Sequence, residues 1–166
     1  MSDVLDVGCG RNKHGSIGID YSKESDADVI ADAHFLRFRD SYFDKVVSFS
    51  VLEHSPNPLN FLREQHRILK SNGQIEVTTD NAQFYLWSVM KFRGVKHESY
   101  HATDHFMVFN PEHVLRLFRL AGFKIRTWRF VSRKRRKMDA FLALLIKIGI
   151  LRPECYYQMF EVLAAK

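Results

Sequence analysis

The chain has 166 residues, 46% of them hydrophobic and 27% charged, which suits one domain with a proper core and argues against disorder. Its net charge of +6 leaves room for an anionic partner such as nucleic acid or a membrane surface. The two cysteines, Cys9 and Cys155, stand far apart, which speaks against a disulfide framework; with no signal-peptide pattern after Met1, a cytoplasmic setting is expected.

The first element is the run Val4 to Gly10, reading VLDVGCG. Val4, Leu5 and Val7 are strand formers of the kind buried on both faces of a parallel sheet. Gly8 and Gly10 allow positive φ and close approach of a ligand to the main chain. The spelling matches only the first two glycines of the dinucleotide-binding fingerprint, because Lys13 takes the third place, so alone it reads equally well as a tight turn. Ser16 to Asp20, reading SIGID, predicts a second short strand ending in an acid. Six residues lie between Gly10 and Ile17, too few for the usual crossover helix, so the first helix is expected to be missing or reduced to a turn.

Asp28 to Ala31 predicts a third strand, ending at Asp32, and Lys45 to Ser50 a fourth, running into Val51, Leu52, Glu53 and His54. Asn57 caps a helix with Pro58 at its first position and Leu59, Phe61, Leu62, Ile68 and Leu69 on its apolar face; Asn72 and Gly73 stop it. Gln74 to Thr79 predicts a fifth strand. Within residues 81–109, Phe84 to Phe92 has a helical pattern and His97 to His105 a polar, loop-like one, and the whole reads as an insertion over the sheet's edge.

Asn110 caps a further helix that starts at Pro111, carries Val114, Leu115, Leu117, Phe118 and Ala121 inward, and ends at Gly122. Lys124 to Val131 alternates as a sixth strand does. The basic run Arg133, Lys134, Arg135, Arg136 and Lys137 reads first as a solvated loop and second as a surface for nucleic acid or membrane. Met138 to Leu151 is apolar but shorter than a spanning helix, so a core-packing helix is the first reading and an interfacial one the second. Together these make residues 132–152 a basic run followed by an apolar helix. Tyr157 to Ala164 predicts the closing strand.

Strands alternating with helices predict an α/β fold over residues 1–166: a single Rossmann-like doubly wound sheet, mostly parallel, with an antiparallel C-terminal strand and no N-terminal helix. Ligands of such sheets bind beyond the carboxyl ends of the strands, which gathers the Gly8 to Gly10 turn, Asp20, Asp32 and the Ser48 to His54 segment in one place. Either acid alone would read as a turn former or cap. Both at strand ends favour ligand binding.

With those residues in view, the chain resembles the class I S-adenosylmethionine-dependent methyltransferases, particularly the small type 11 branch. VLDVGCG is similar to that family's first motif and GID at Gly18 to Asp20 to its second. ADAHFLRF at Ala31 to Phe38 is similar to a D-A-x-x-L-P-F segment, with Arg37 where proline is common. YFDKVVSFSVLEH at Tyr42 to His54, FLREQHRILKSNGQIEV at Phe61 to Val77, AGFKI at Ala121 to Ile125 and the terminal FEVLAAK resemble the later elements in order. Three departures stand out: the absent N-terminal helix, the short connection before Asp20, and Ser71, Asn72 and Gly73 in place of a proline-glycine-glycine turn.

The resemblance implies S-adenosylmethionine as cofactor. Gly8, Cys9 and Gly10 would present backbone to its homocysteine and ribose parts. Asp6 would anchor the loop or the cofactor's amino group, or be purely structural. Asp20 would accept both ribose hydroxyls, Tyr21 would pack on adenine, Asp32 would accept from the adenine amino group beside the Ala33 backbone, and Ser48, Phe49 and Ser50 would line the methionine end. Residues 81–109 would cover the cofactor in place of the missing helix.

Methyl transfer from a sulfonium is an in-line displacement, so alignment and exclusion of water matter most and a general base is optional. Glu53 and His54 lie where a catalytic base or substrate anchor could sit, and read equally as structural groups at a helix start. His97, His101 and His105 recur at a spacing that would share a helix face and could ligate a metal. The resemblance implies none, so no metal is expected, and His101 and His105 are taken as substrate-facing. The acceptor is unidentified, with an anionic one suggested by the basic run. A non-catalytic adaptor that keeps the fold and uses the basic and apolar C-terminal surface stays open, as does a nicotinamide-dependent oxidoreductase on the same fold.

Overall fold

The computed structural model describes residues 3–84, 105–131, 139–152 and 157–166. Its strands are β1 (Val4–Val7), β2 (Ile17–Asp20), β3 (Val29–Ile30), β4 (Phe43–Phe49), β5 (Leu69–Asp80), β6 (Lys124–Val131) and β7 (Met159–Ala165). They form one sheet in the order β3-β2-β1-β4-β5-β7-β6. β1 pairs in parallel with both β2 and β4, and β4 in parallel with β5, whereas β7 runs antiparallel between β5 and β6. The α/β sheet with its antiparallel C-terminal strand is therefore as the sequence predicts. The path turns one way from β1 to β2 and the other way to β4, which makes the β1/β4 boundary the switch point of the sheet.

The central strands are covered on both faces: Leu5 and Val7 on one face of β1 and Asp6 on the other are all within 1% of complete burial. At the left edge β3 has shrunk to two exposed residues, a length that offers little to a foreign strand. Helices α1 (Pro58–Ile68) and α2 (Pro111–Leu120) pack against each other, as the usual right-handed rule for successive crossovers in one direction leads one to expect. Both start as predicted: Asn57 Oδ1 accepts from the Asn60 N–H at 3.1 Å and Asn110 Oδ1 from the His113 N–H at 2.9 Å, each with proline in the first turn.

Two elements differ from the sequence reading. α1 ends at Ile68 rather than at Asn72, because the chain ahead of β4 captures its last carbonyls: Ser41 N–H donates to Arg67 and Tyr42 N–H to Ile68, at 3.1 and 2.7 Å. Leu69 then pairs with Phe43 and is fully buried, and the Asn72 turn, with φ of 66°, becomes an irregularity inside β5 before Gln74 pairs with Lys45. The second difference is α3 (Asp139–Lys147), expected to pack into the core. Phe141 and Leu144 are 64% and 51% exposed, and Ile148 and Ile150 just beyond it 56% and 70%, so this apolar stretch lies outside the core. None of its described residues belongs to the core cluster or packs against it. Among the described residues no helix is long and apolar enough to cross a membrane. The basic run at 133–137, Cys155 and most of the 81–109 insertion lie outside the described residues.

Arg67 near the end of α1 fastens the irregular segment that precedes β4. Its guanidinium donates to Glu64 on its own helix, to the Leu36 and Phe38 carbonyls at 2.7 and 2.8 Å, and to Asp40 at 2.6 Å. The Arg67 hydrogen bonds hold the Glu64 carboxyl below its usual range. A depressed carboxylate contributes stability that is complete above its unfolded value and is lost as pH falls through the folded one. Arg67→Ala is expected to cost about 1–2 kcal/mol, read as a lower unfolding temperature. The gap from the unsubstituted chain should stay level from about pH 8 to 5 and narrow below about pH 4.

Candidate functional site

A cleft of about 620 Å³ opens at the carboxyl ends of β1, β2 and β4, a volume within the range of small-molecule sites. Its floor is the connection between β1 and β2. Gly8 and Cys9 N–H groups both donate to the Ile19 carbonyl, at 2.8 and 3.1 Å, so the turn is tied to β2 and these two amides are occupied within the protein. Gly8 has φ of 71°, and a Cβ there would fall 2.3 Å from Val51 Cγ2. Only glycine lets the turn after β1 and the loop after β4 meet at the switch point.

Asp20, at the end of β2, lines the cleft with Tyr21. Its Oδ2 accepts from the Gly10 N–H and its Oδ1 from the Ser22 N–H, both at 2.8 Å. The carboxylate is thereby fixed, with acceptor capacity left on each oxygen. Tyr21 is 86% exposed, a free ring face at the cleft's rim. Beyond β3, Asp32 and Ala33 line the same wall. Asp32 Oδ1 accepts from the His34 N–H at 2.8 Å and meets His34 Nδ1 at 2.6 Å, while His34 Nε2 lies 2.7 Å from Ser55 Oγ. The ring therefore bridges Asp32 and the Ser55 hydroxyl. The His34 backbone N–H, then its ring, holds the Asp32 carboxyl low, so it is an acceptor at neutral pH.

The opposite wall comes from the loop after β4. Ser50 takes φ of 57° and donates its N–H to the Thr78 carbonyl at 3.0 Å, and with Val51, His54 and Ser55 it lines the cleft. Phe106 reaches the cleft from the far segment, its N–H donating to the Glu53 carbonyl at 2.9 Å.

Of the residues singled out from sequence, Gly8, Asp20, Tyr21, Asp32, Ala33, Ser50 and His54 line this one cleft. Others sit behind it. Asp6 is buried under the loop, Oδ2 accepting from the His14 N–H at 2.6 Å, and burial pushes its carboxyl up. The Cys9 thiol is buried and pushed up too, by desolvation and then by Asp6 and Asp20, which makes it a poor nucleophile. Gly10 serves Asp20. Ser48 points into the sheet packing, fully buried, and Phe49 packs edge-on against His14. Lys13, in the fingerprint's third position, forms a two-pronged ion pair with Asp28 at 3.0 and 2.9 Å.

Glu53 is 1% exposed, and burial pushes its carboxyl up against a hydrogen bond from Thr79. His105 lies against His54, with ring centroids 4.5 Å apart, and His101 lies outside the described residues. Sequence reasoning missed His34 and Ser55 and took Val51 only as part of the Ser48 to His54 segment. His34 carried a signal, following Asp32 by two residues within a polar turn, whereas nothing about an isolated valine or serine announces a cleft.

The profile of one family, described as a methyltransferase domain, matches residues 2–127. The chain belongs to the methyltransferase domain family. Its fold is likewise that of the S-adenosylmethionine-dependent methyltransferases. A crystal structure of one from Archaeoglobus fulgidus aligns with a TM-score of 0.72 at 20% identity, over 99% of this chain and 86% of that one. One from Mesorhizobium loti aligns with a TM-score of 0.69 at 15% identity, over 99% and 91%. The cyclase SpnF shares the fold as well, with a TM-score of 0.66 at 19% identity, over 99% of this methyltransferase domain and 74% of that chain. Two uncharacterised proteins of Methanocaldococcus jannaschii are 32% identical over 52% of the chain and 29% identical over 74% of it. The chain spans 40% and 55% of their lengths.

Gly8→Ala should lower stability by about 1–3 kcal/mol through its left-handed backbone and the clash with Val51. Adding Val51→Ala is expected to restore the steric share and leave the backbone share. Urea midpoints of the two variants, compared with Val51→Ala alone, measure the split.

Proposed function

We propose that this domain binds S-adenosylmethionine in the cleft and transfers its methyl group to an acceptor by in-line displacement. The single observation that carries the reading is Asp20: a carboxylate oriented by the Gly10 and Ser22 amides, at the carboxyl end of a parallel strand, beside the switch point. Such a carboxylate suits a vicinal diol, one hydroxyl to each oxygen, and Tyr21 offers an exposed face for a purine alongside. Asp32 then stands ready for an exocyclic amino group, with the Ala33 backbone next to it. The Gly8 turn and Ser50 bound the end where the sulfonium would lie, and His54 reaches that end from the loop after β4.

In this mechanism the protein chiefly positions and dries the reacting groups. The family membership supports the reaction class. Calorimetric titration with S-adenosylmethionine should show one site. Asp20→Ala should weaken it at least about tenfold, because two diol hydrogen bonds to a charged acceptor are lost. Absence of binding would refute the proposal. Given binding, labelled methyl groups from the cofactor should appear in one fraction of a cell extract.

A second reading, a cofactor-binding adaptor without transfer, is favoured by one observation, the exposed apolar side chains of Phe141, Leu144, Ile148 and Ile150. It predicts cofactor binding with no labelled product in any fraction.

A further inference from the structure

One buried group beside the cleft has no use in aligning a methyl group. Glu53 Oε2 accepts from the Thr79 hydroxyl at 2.7 Å, but Oε1 is buried with no hydrogen-bond partner. A buried carboxyl with an unpartnered oxygen is kept by pairing, by a metal or by taking up a proton. Two imidazoles stand next to it. His54 follows Glu53 in the 3₁₀ turn, and His105 is brought in by the main chain: the Phe106 and Met107 N–H groups both donate to the Glu53 carbonyl, at 2.9 and 3.2 Å. The rings of His54 and His105 meet edge to face.

One donor atom from each of Glu53, His54 and His105 lies within 4.8 Å of the other two. Ligand atoms about 2.1 Å from a shared ion lie about 3 to 4.2 Å apart, so small side-chain rotations would complete the arrangement. Two imidazoles and one carboxylate suit zinc, manganese or iron(II), and are a poor set for magnesium or calcium, which take oxygen ligands. The helical spacing of His97, His101 and His105 pointed to a different triad, and only His105 belongs to this one.

We infer that Glu53, His54 and His105 form a site for a divalent transition-metal ion at the edge of the cleft. Three protein ligands leave coordination positions open, and His54 itself lines the cleft, so the ion would hold an oxygen of the acceptor near the methyl group. That role toward the acceptor rests on the methyl-transfer reading; the binding of the ion does not.

The metal-free full chain is titrated with Zn²⁺ and Mn²⁺ by calorimetry and with Co²⁺ by visible absorption. One ion per chain is expected, with affinity at least about tenfold lower in both Glu53→Gln and His105→Ala. His113→Ala, an exposed histidine on α2, should bind as the unsubstituted chain does. Zn²⁺ should also raise the unfolding temperature of the unsubstituted chain and not of Glu53→Gln. Asp20→Ala should keep the ion while losing S-adenosylmethionine, so failure of the cofactor reading is seen separately. No stoichiometric binding, or equal affinity in Glu53→Gln and His105→Ala, overturns the inference.

Discussion

The site depends on how little chain joins β1 to β2. Nine residues, 8–16, must carry the chain back along β1, which is four residues long. Extended, nine residues reach about 30 Å, ample for a return of about 13 Å. As a helix at about 1.5 Å per residue they would be used up by the return alone, with none left for the turns. The connection therefore lies flat on the sheet, so close that a Cβ on Gly15 would fall 2.7 Å from the Val4 carbonyl. Main-chain bonds to Ile19 and the buried Asp6 acceptor do the work that a packed helix does elsewhere, and they hold the Gly8 turn and the Gly10 amide where Asp20 needs them.

The two buried carboxylates near the cleft show why burial alone does not assign a role. Asp6 and Glu53 are equally hidden, and desolvation raises both. Asp6 is spent on an internal amide and supports the loop. Glu53 has one oxygen bonded to Thr79 and one with no hydrogen-bond partner. The count of satisfied lone pairs distinguishes them.

Most of the fold was legible because its signals are local. Buried central strands, proline at helix starts behind an asparagine cap, and the short count between Gly10 and Ile17 each read directly from neighbouring residues. What escaped was set by partners remote in sequence. α1 stops early because Ser41 and Tyr42 take its carbonyls, and α3 was placed in the core because an apolar run does not state which face, if any, will be covered. The site followed the same division. Asp20 and Asp32 announce themselves at strand ends, while Val51 and Ser55 matter only through Gly8 and His34, contacts that span twenty residues or more. Alternation would put Ser48 and Ser50 on one face; what separates them is the end of β4, since Ser48 lies within the strand and is fully buried, while Ser50 lies past it with φ of 57° and lines the cleft.

The position of β7 sets the order in which the sheet can be assembled. It lies between β5 and β6 and pairs along its length with both, from Gln74 to Asp80 on one side and from Lys124 to Val131 on the other. Until that strand emerges from the ribosome, β6 has no neighbour in the sheet and β5 shows an unpaired main-chain edge from Gln74 to Asp80. The half from β3 to β5, which includes the cleft's floor and walls after β1, β2 and β4, can pair beforehand, whereas the other half closes only when β7 is threaded into its gap. Such late, non-local pairing slows folding and leaves the growing chain with an open edge that chaperones would shield.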